Sequence, residues 1–130
     1  CPFAAHIRKT NPRADQSSIS NQIIRAGIPY GPEVTSDEVA SGTSSSTPSL
    51  ERGLAFVSYQ SSISSGFAFI QQSWANNPDF HISGVGEDPI VGVASGGQAR
   101  KPAGFDPQDP SKVITMNQDF VVSRGGEYFF

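Results

Sequence analysis

Leu54-Ala55-Phe56-Val57-Ser58-Tyr59, then Ile63, Phe67, Ile70 and Trp74, then Asn76-Asn77-Pro78, is the stretch that decides the fold. In the first run Leu54, Phe56 and Ser58 alternate with Ala55, Val57 and Tyr59. Most of these side chains favour a pleated backbone, which predicts a central strand covered on both faces. Ile63, Phe67, Ile70 and Trp74 are spaced by four, three and four, so they fall on one helical face, and that stripe reads as core. Pro78 turns the residue before it away from helical backbone, so Asn76-Asn77-Pro78 stops the helix.

Upstream of this stretch, positions 41 to 49 are almost entirely Ser, Thr and Gly with one Pro, a composition that buries no apolar area and predicts a surface loop. That loop is expected to separate the strand–helix region from a first structured stretch, Cys1 to Val39. The first stretch has a turn-rich opening at Asn11-Pro12-Arg13 and a short apolar segment, Ile23-Ile24, leading to Arg25. Downstream, Phe80 to Asp109 is rich in Gly, Pro and Asp; an irregular stretch of that length is uncommon in a compact domain unless it lines a site. Two strands are predicted near Val113 to Met116 and Phe120 to Val122, then a turn at Gly125-Gly126 and an aromatic strand at Tyr128-Phe129-Phe130. Strand, helix and further strands in this order predict an α+β sheet layered with helices.

With 130 residues the chain has room for one domain with a real core and is read as one unit, 1–130. A net charge of −3 provides no basic field to track a phosphate backbone, which argues against nucleic acid as a partner. No apolar run approaches the roughly 20 residues of a membrane span. Cys1 is the only cysteine, so an internal disulfide framework and a cysteine zinc cage are excluded. Cys1-Pro2-Phe3 carries neither an initiator Met nor a signal-like segment, and the start is expected to lie inside a longer protein.

Several residues carry possible chemistry. His6 is closely followed by Arg8, Lys9 and Arg13, a cationic cluster suited to an anionic cofactor, against the plainer reading of a surface histidine in a basic turn. Arg25 closes an apolar segment, where an arginine normally needs an anionic partner, so a structural salt bridge is its plain reading. Asp88, between Gly86-Glu87 and Pro89-Ile90-Val91, reads as a turn former. His81 reads as a loop residue, and Tyr30 and Trp74 as core or surface aromatics. There is no Gly-x-Ser-x-Gly elbow, and Gly84-Val85-Gly86-Glu87-Asp88 lacks the third glycine of a dinucleotide loop.

The run Cys1-Pro2-Phe3-Ala4-Ala5-His6-Ile7-Arg8-Lys9-Thr10-Asn11-Pro12-Arg13 closely resembles the haem-ligand segment of fungal dye-decolorising peroxidases. The resemblance continues, in the family's order, through Ile23 to Glu33, Glu51 to Phe56, Trp74 to Pro78, Asp88-Pro89-Ile90 and Val121 to Phe130. It implies an enzyme of two ferredoxin-like domains with haem b, of which this chain is most of the second: an antiparallel sheet with helices on one face. By the same resemblance, His6 is the proximal iron ligand and Asp88 the carboxylate that takes its other ring N–H. Arg25 lies on the distal side, where a permanent charge assists peroxide cleavage. Leu54 and Phe56 line the distal pocket, and Tyr30 and Trp74 are surface relays of electrons. Arg8 or Arg13, by charge alone, suits the haem propionates.

The resemblance further implies a peroxidase that reduces hydrogen peroxide and oxidises dyes or phenols in one-electron steps, secreted as fungal relatives are. The family's distal aspartate belongs to a Gly-x-x-Asp-Gly motif well before the haem histidine, and nothing here precedes Cys1. The activity is therefore expected only together with an N-terminal part of the same enzyme. The competing expectation is a binding or interaction module of the same fold that carries no haem and no activity.

Overall fold

The computed structural model describes residues 1–15 and 17–130, with the backbone alone at Asp15. The architecture is α+β, built of short helices and small antiparallel sheets. Two compact units form: Cys1–Ile23 with Gln60–Phe130, and Ile24–Tyr59.

The smaller unit is one long hairpin. Strand β1 (Ile24–Arg25) pairs with β4 (Ser58–Tyr59), placing Arg25 opposite Ser58, and β2 (Ile28–Tyr30) pairs with β3 (Gly53–Ala55), placing Pro29 opposite Leu54. The run from Leu54 to Tyr59 is thus strand-forming, but it is not a central strand covered on both faces. Ile24, Ile28, Leu54, Phe56 and Tyr59 are all exposed, since a two-stranded ribbon cannot by itself cover its own faces.

Positions 41 to 49 do not divide the chain; they close the end of this hairpin. Helix α2 (Ser36–Ser41) starts at a capping box, in which Thr35 accepts from the Glu38 backbone and Glu38 from the Thr35 backbone, and ends at Gly42 in left-handed conformation, φ 64°. The Thr-x-x-Glu spacing was a readable signal for a helix that strand and loop patterns alone did not reveal. Glu38 is buried and receives both forks of Arg52 at 2.8 Å, with a further bond from Ser45 N at 2.7 Å. Arg52 in turn donates to the carbonyls of Pro32 and Glu33.

The hydrogen bonds from Arg52, then those from Thr35 and Ser45, hold the Glu38 carboxyl well below its usual 4.5. A depressed acid stabilises the fold fully above the unfolded value and loses that contribution as the pH falls. Thermal melts of the wild type and Glu38→Gln are therefore expected to differ at pH 7 and to converge progressively below pH 4.5; a gap unchanged at low pH contradicts this.

In the larger unit, α1 (His6–Thr10) opens the chain, and α3 (Phe67–Phe69) runs directly into a π-helical turn, Ile70–Ala75. The helix begins at Phe67 rather than Ile63, since Ser64-Ser65-Gly66 favours a turn and Gln60 Oε1 caps the Phe67 N–H at 2.8 Å. It stops at Asn76, as Asn76-Asn77-Pro78 predicts. The core lies here: Trp74 stacks on Phe80 at 5.1 Å and meets Phe69 edge-on, with Ile70 and Ile23 alongside.

Val113 and Met116 form only isolated antiparallel bridges, to Ala103 and Arg100. Pro102, within the facing segment, has no N–H to extend them into a ladder. The strands expected at Phe120 to Val122 and Tyr128 to Phe130 do not form; these residues are irregular, exposed and without a strand partner among the described residues.

Candidate functional site

Residues 80 to 109 are irregular, and that stretch brings Asp88 to His6 across 82 positions of sequence. His6 opens α1 and is one-third exposed, while Asp88 is fully buried. Their contact is a 2.9 Å hydrogen bond from His6 Nδ1 to Asp88 Oδ2. The second oxygen of Asp88 accepts from the backbones of Ile90 and Val91, each at 2.8 Å. The Asp88 backbone N–H donates to the Ala75 carbonyl at the end of the π turn. Burial, the largest influence, pushes the Asp88 carboxyl upward, but the bonds from His6, Val91 and Ile90 outweigh it and leave it below the usual range.

Two glycines make this turn possible. Gly86 has φ 82°, and a Cβ there would stand 2.2 Å from the Lys101 carbonyl oxygen; one on Gly92 would stand 2.5 Å from the carbonyl oxygen of Asp88.

An ionised carboxylate can only accept here, so Nδ1 of His6 is the donor, and a neutral ring bonded in this way presents its lone pair at Nε2. Such an imidazole is a strong single donor for a metal. Among the described residues there is no group of three or more His, Cys, Asp or Glu able to cage an ion. One axial donor with an anionic backing fits a metal carried in its own macrocycle, as haem iron is.

The rest of the cationic cluster behaves less uniformly than its sequence suggests. Lys9 turns inward, with 1% of its surface exposed, and donates to the carbonyls of Asn77, Phe80 and Gly86 at 2.7, 2.8 and 2.9 Å. Burial pushes its ammonium down to about 8, against the pull of Asp88, Glu87 and Asp79, so it is still charged at neutral pH. It is not available to an anionic cofactor. Arg8 lies 4.4 Å over the Phe3 ring, and Arg13 is exposed at the rim of a groove with Asn11, Ser18 and Gln22. His81 packs its ring edge-on to Phe3, a loop residue as expected.

Trp74 requires correction. It is 2% exposed at the centre of the core, so it cannot touch a dye as a surface relay, and further chain packed around it could only bury it more. Its helical spacing identified it as core, and that reading holds. Arg25, Tyr30, Leu54 and Phe56 belong to the hairpin unit. Tyr30 is 47% exposed, and Leu54 and Phe56 are also exposed. Arg25 is exposed and, among the described residues, has no carboxylate partner, so the structural salt bridge expected of it is not made.

Sequence reasoning passed over Arg100. This buried residue donates through Nη1 to the Pro89 carbonyl and through Nη2 to that of Gln118, and lies over Phe120. An Arg in a Gly-rich loop gives no sign of burial in sequence alone.

Comparison with known proteins identifies the family. Residues 1–81 match the family model described as Dyp-type peroxidase, C-terminal. The whole chain aligns at 56% identity with Peroxidase 2 of Mycetinis scorodonius and at 55% with a dye-decolorizing peroxidase of Exidia glandulosa, covering 28% and 25% of their lengths. The chain thus spans little more than a quarter of these relatives. A crystal structure of a decolorizing peroxidase from Auricularia auricula-judae superposes with a TM-score of 0.85 at 49% identity, over 97% of this chain and 30% of that one. On the match over residues 1–81, which include His6, this chain belongs to the C-terminal family of Dyp-type peroxidases.

Proposed function

We propose that the protein containing this chain is a haem peroxidase that reduces hydrogen peroxide and oxidises dyes or phenols, with haem b as its cofactor. The observation that carries the reading is the 2.9 Å bond from His6 Nδ1 to the buried, ionised Asp88. When bound, haem supplies the redox-active iron at which peroxide is reduced and from which two one-electron oxidations of the reductant proceed.

The chain's own residues then have separate tasks. His6 would hold the iron through Nε2. Asp88 holds the Nδ1 proton, fixes the ring orientation and raises the basicity of the ligand. Arg25 meets the negative charge that develops on peroxide oxygen, a role suited to a guanidinium that never deprotonates. Leu54 and Phe56 restrict water on the peroxide side, and Arg8 and Arg13 are the candidates for the propionates. Tyr30, exposed and oxidisable, is the candidate relay to bulky dyes that cannot enter a pocket. The uncovered apolar faces of the hairpin are the surface on which an N-terminal part of the same enzyme packs.

The test is an absorption spectrum of the purified full-length protein, with dye bleaching followed in the presence and absence of peroxide. A Soret band and bleaching that requires peroxide are expected. A colourless protein that leaves the dye intact overturns the reading and favours an interaction module.

A further inference from the structure

His6 and Lys9 stand one helical turn apart on α1, and their partners Asp88 and Gly86 stand two residues apart on the facing segment. Two rungs therefore join the same two pieces of backbone. The first is the His6–Asp88 bond and the second is the ammonium of Lys9 on the Gly86 carbonyl. On the other side of Asp88 a second buried cation, Arg100, holds the Pro89 carbonyl. The carboxylate thus sits on a short turn whose backbone is fastened both before and after it by buried positive charges from elsewhere in the chain.

A buried cation is a costly way to obtain stability alone, because its desolvation offsets much of what its bonds contribute, and apolar side chains of similar volume often serve as well. What the cations add is fixed geometry. A hydrogen bond weakens steeply as its angle and length depart from the optimum, so small freedom in the Asp88 turn would change how much basicity the carboxylate passes to His6.

We propose that Lys9 and Arg100 are positioning residues for the His6–Asp88 pair, setting the donor strength of His6 by clamping the backbone on either side of Asp88. This rests on the reading of His6 as an iron ligand.

The test uses the full-length holoenzyme, with Lys9→Met, Arg100→Met and Asp88→Asn, and reads the Fe(III)/Fe(II) potential and the iron–histidine stretching frequency. A weaker bond to Asp88 makes His6 a poorer donor and favours the reduced iron. Asp88→Asn is therefore expected to raise the potential and lower the stretching frequency. Lys9→Met and Arg100→Met are expected to shift both in the same direction by less, and to add nothing in the Asp88→Asn background. If Lys9→Met does not accumulate, Lys9→Gln, which keeps a donor for one carbonyl, is measured in its place with the same expectation. Variants that bind haem with potential and frequency unchanged, whatever their melting temperature, overturn the proposal while leaving His6 as ligand. An Asp88→Asn protein without a shift, or a wild type without an iron–histidine band, overturns the underlying reading and the proposal with it.

Discussion

Full-length protein carrying His6→Ala is expected to lose its Soret band and its peroxide-dependent oxidation of dye, and to recover part of both when free imidazole is added. Loss of an outer partner of a metal ligand typically costs about 10–100-fold in affinity or activity, and loss of the ligand itself should cost more than that. The substitution leaves a hole the size of the ring beside Asp88, whose Oδ1 remains fixed by Ile90 and Val91. An imidazole entering that hole meets a preset acceptor for one nitrogen and presents the other, as His6 does. Rescue should therefore fail in a His6→Ala, Asp88→Ala double variant. Removing the imidazole also leaves the buried carboxylate one donor short, which should destabilise the fold by about 1–3 kcal/mol. An unaltered band in His6→Ala, in a protein that still melts cooperatively, would show that the iron is held elsewhere.

The two halves of this site were unequally legible. His6 drew notice because it stands among cations, but a pattern of nearby residues cannot reveal a partner 82 positions away. Asp88 read locally as a turn former, and it is one, since its Oδ1 accepts from the next two free N–H groups. What local chemistry could not supply is that its other oxygen faces His6; only the family resemblance carried that. Lys9 shows the opposite failure. In a five-residue helix there is too little periodicity to separate an inward face from an outward one, so its charge suggested an anionic cofactor while its ammonium is buried among three carbonyls.

Elements governed by their own residues were readable. The stop at Asn76-Asn77-Pro78 comes from proline sterics, and the burial of Ile70 and Trp74 from their spacing. The cover on a strand is not a property of its own residues. Leu54 to Tyr59 have the composition of a covered strand, yet in this chain they form one side of an uncovered ribbon. Trp74 illustrates how the two sources of inference can disagree: spacing assigned it to the core, resemblance to the surface, and its stacking on Phe80 decides for the core.

Arg25→Leu is expected to slow the reaction with peroxide by roughly 10²–10³-fold, the usual effect of removing one donor that meets developing charge. It should alter stability by no more than about 0.5 kcal/mol, as surface substitutions away from special features do. The separation of these two effects is what makes the experiment decisive. Arg25 is exposed, lies on a two-residue strand opposite Ser58, and has no carboxylate partner among the described residues, so its side chain supports little of the fold. Leucine keeps the strand tolerable. Arg25→Lys should fall between, since an ammonium keeps the charge but lacks the planar fork that fixes its direction. Pre-steady-state mixing with peroxide measures the rate, and thermal melting of the same samples measures stability. A rate unchanged in Arg25→Leu removes Arg25 from the chemistry. A rate loss matched by an equal loss of folded protein would return Arg25 to a structural role, which the absence of any ion pair on its guanidinium among the described residues argues against.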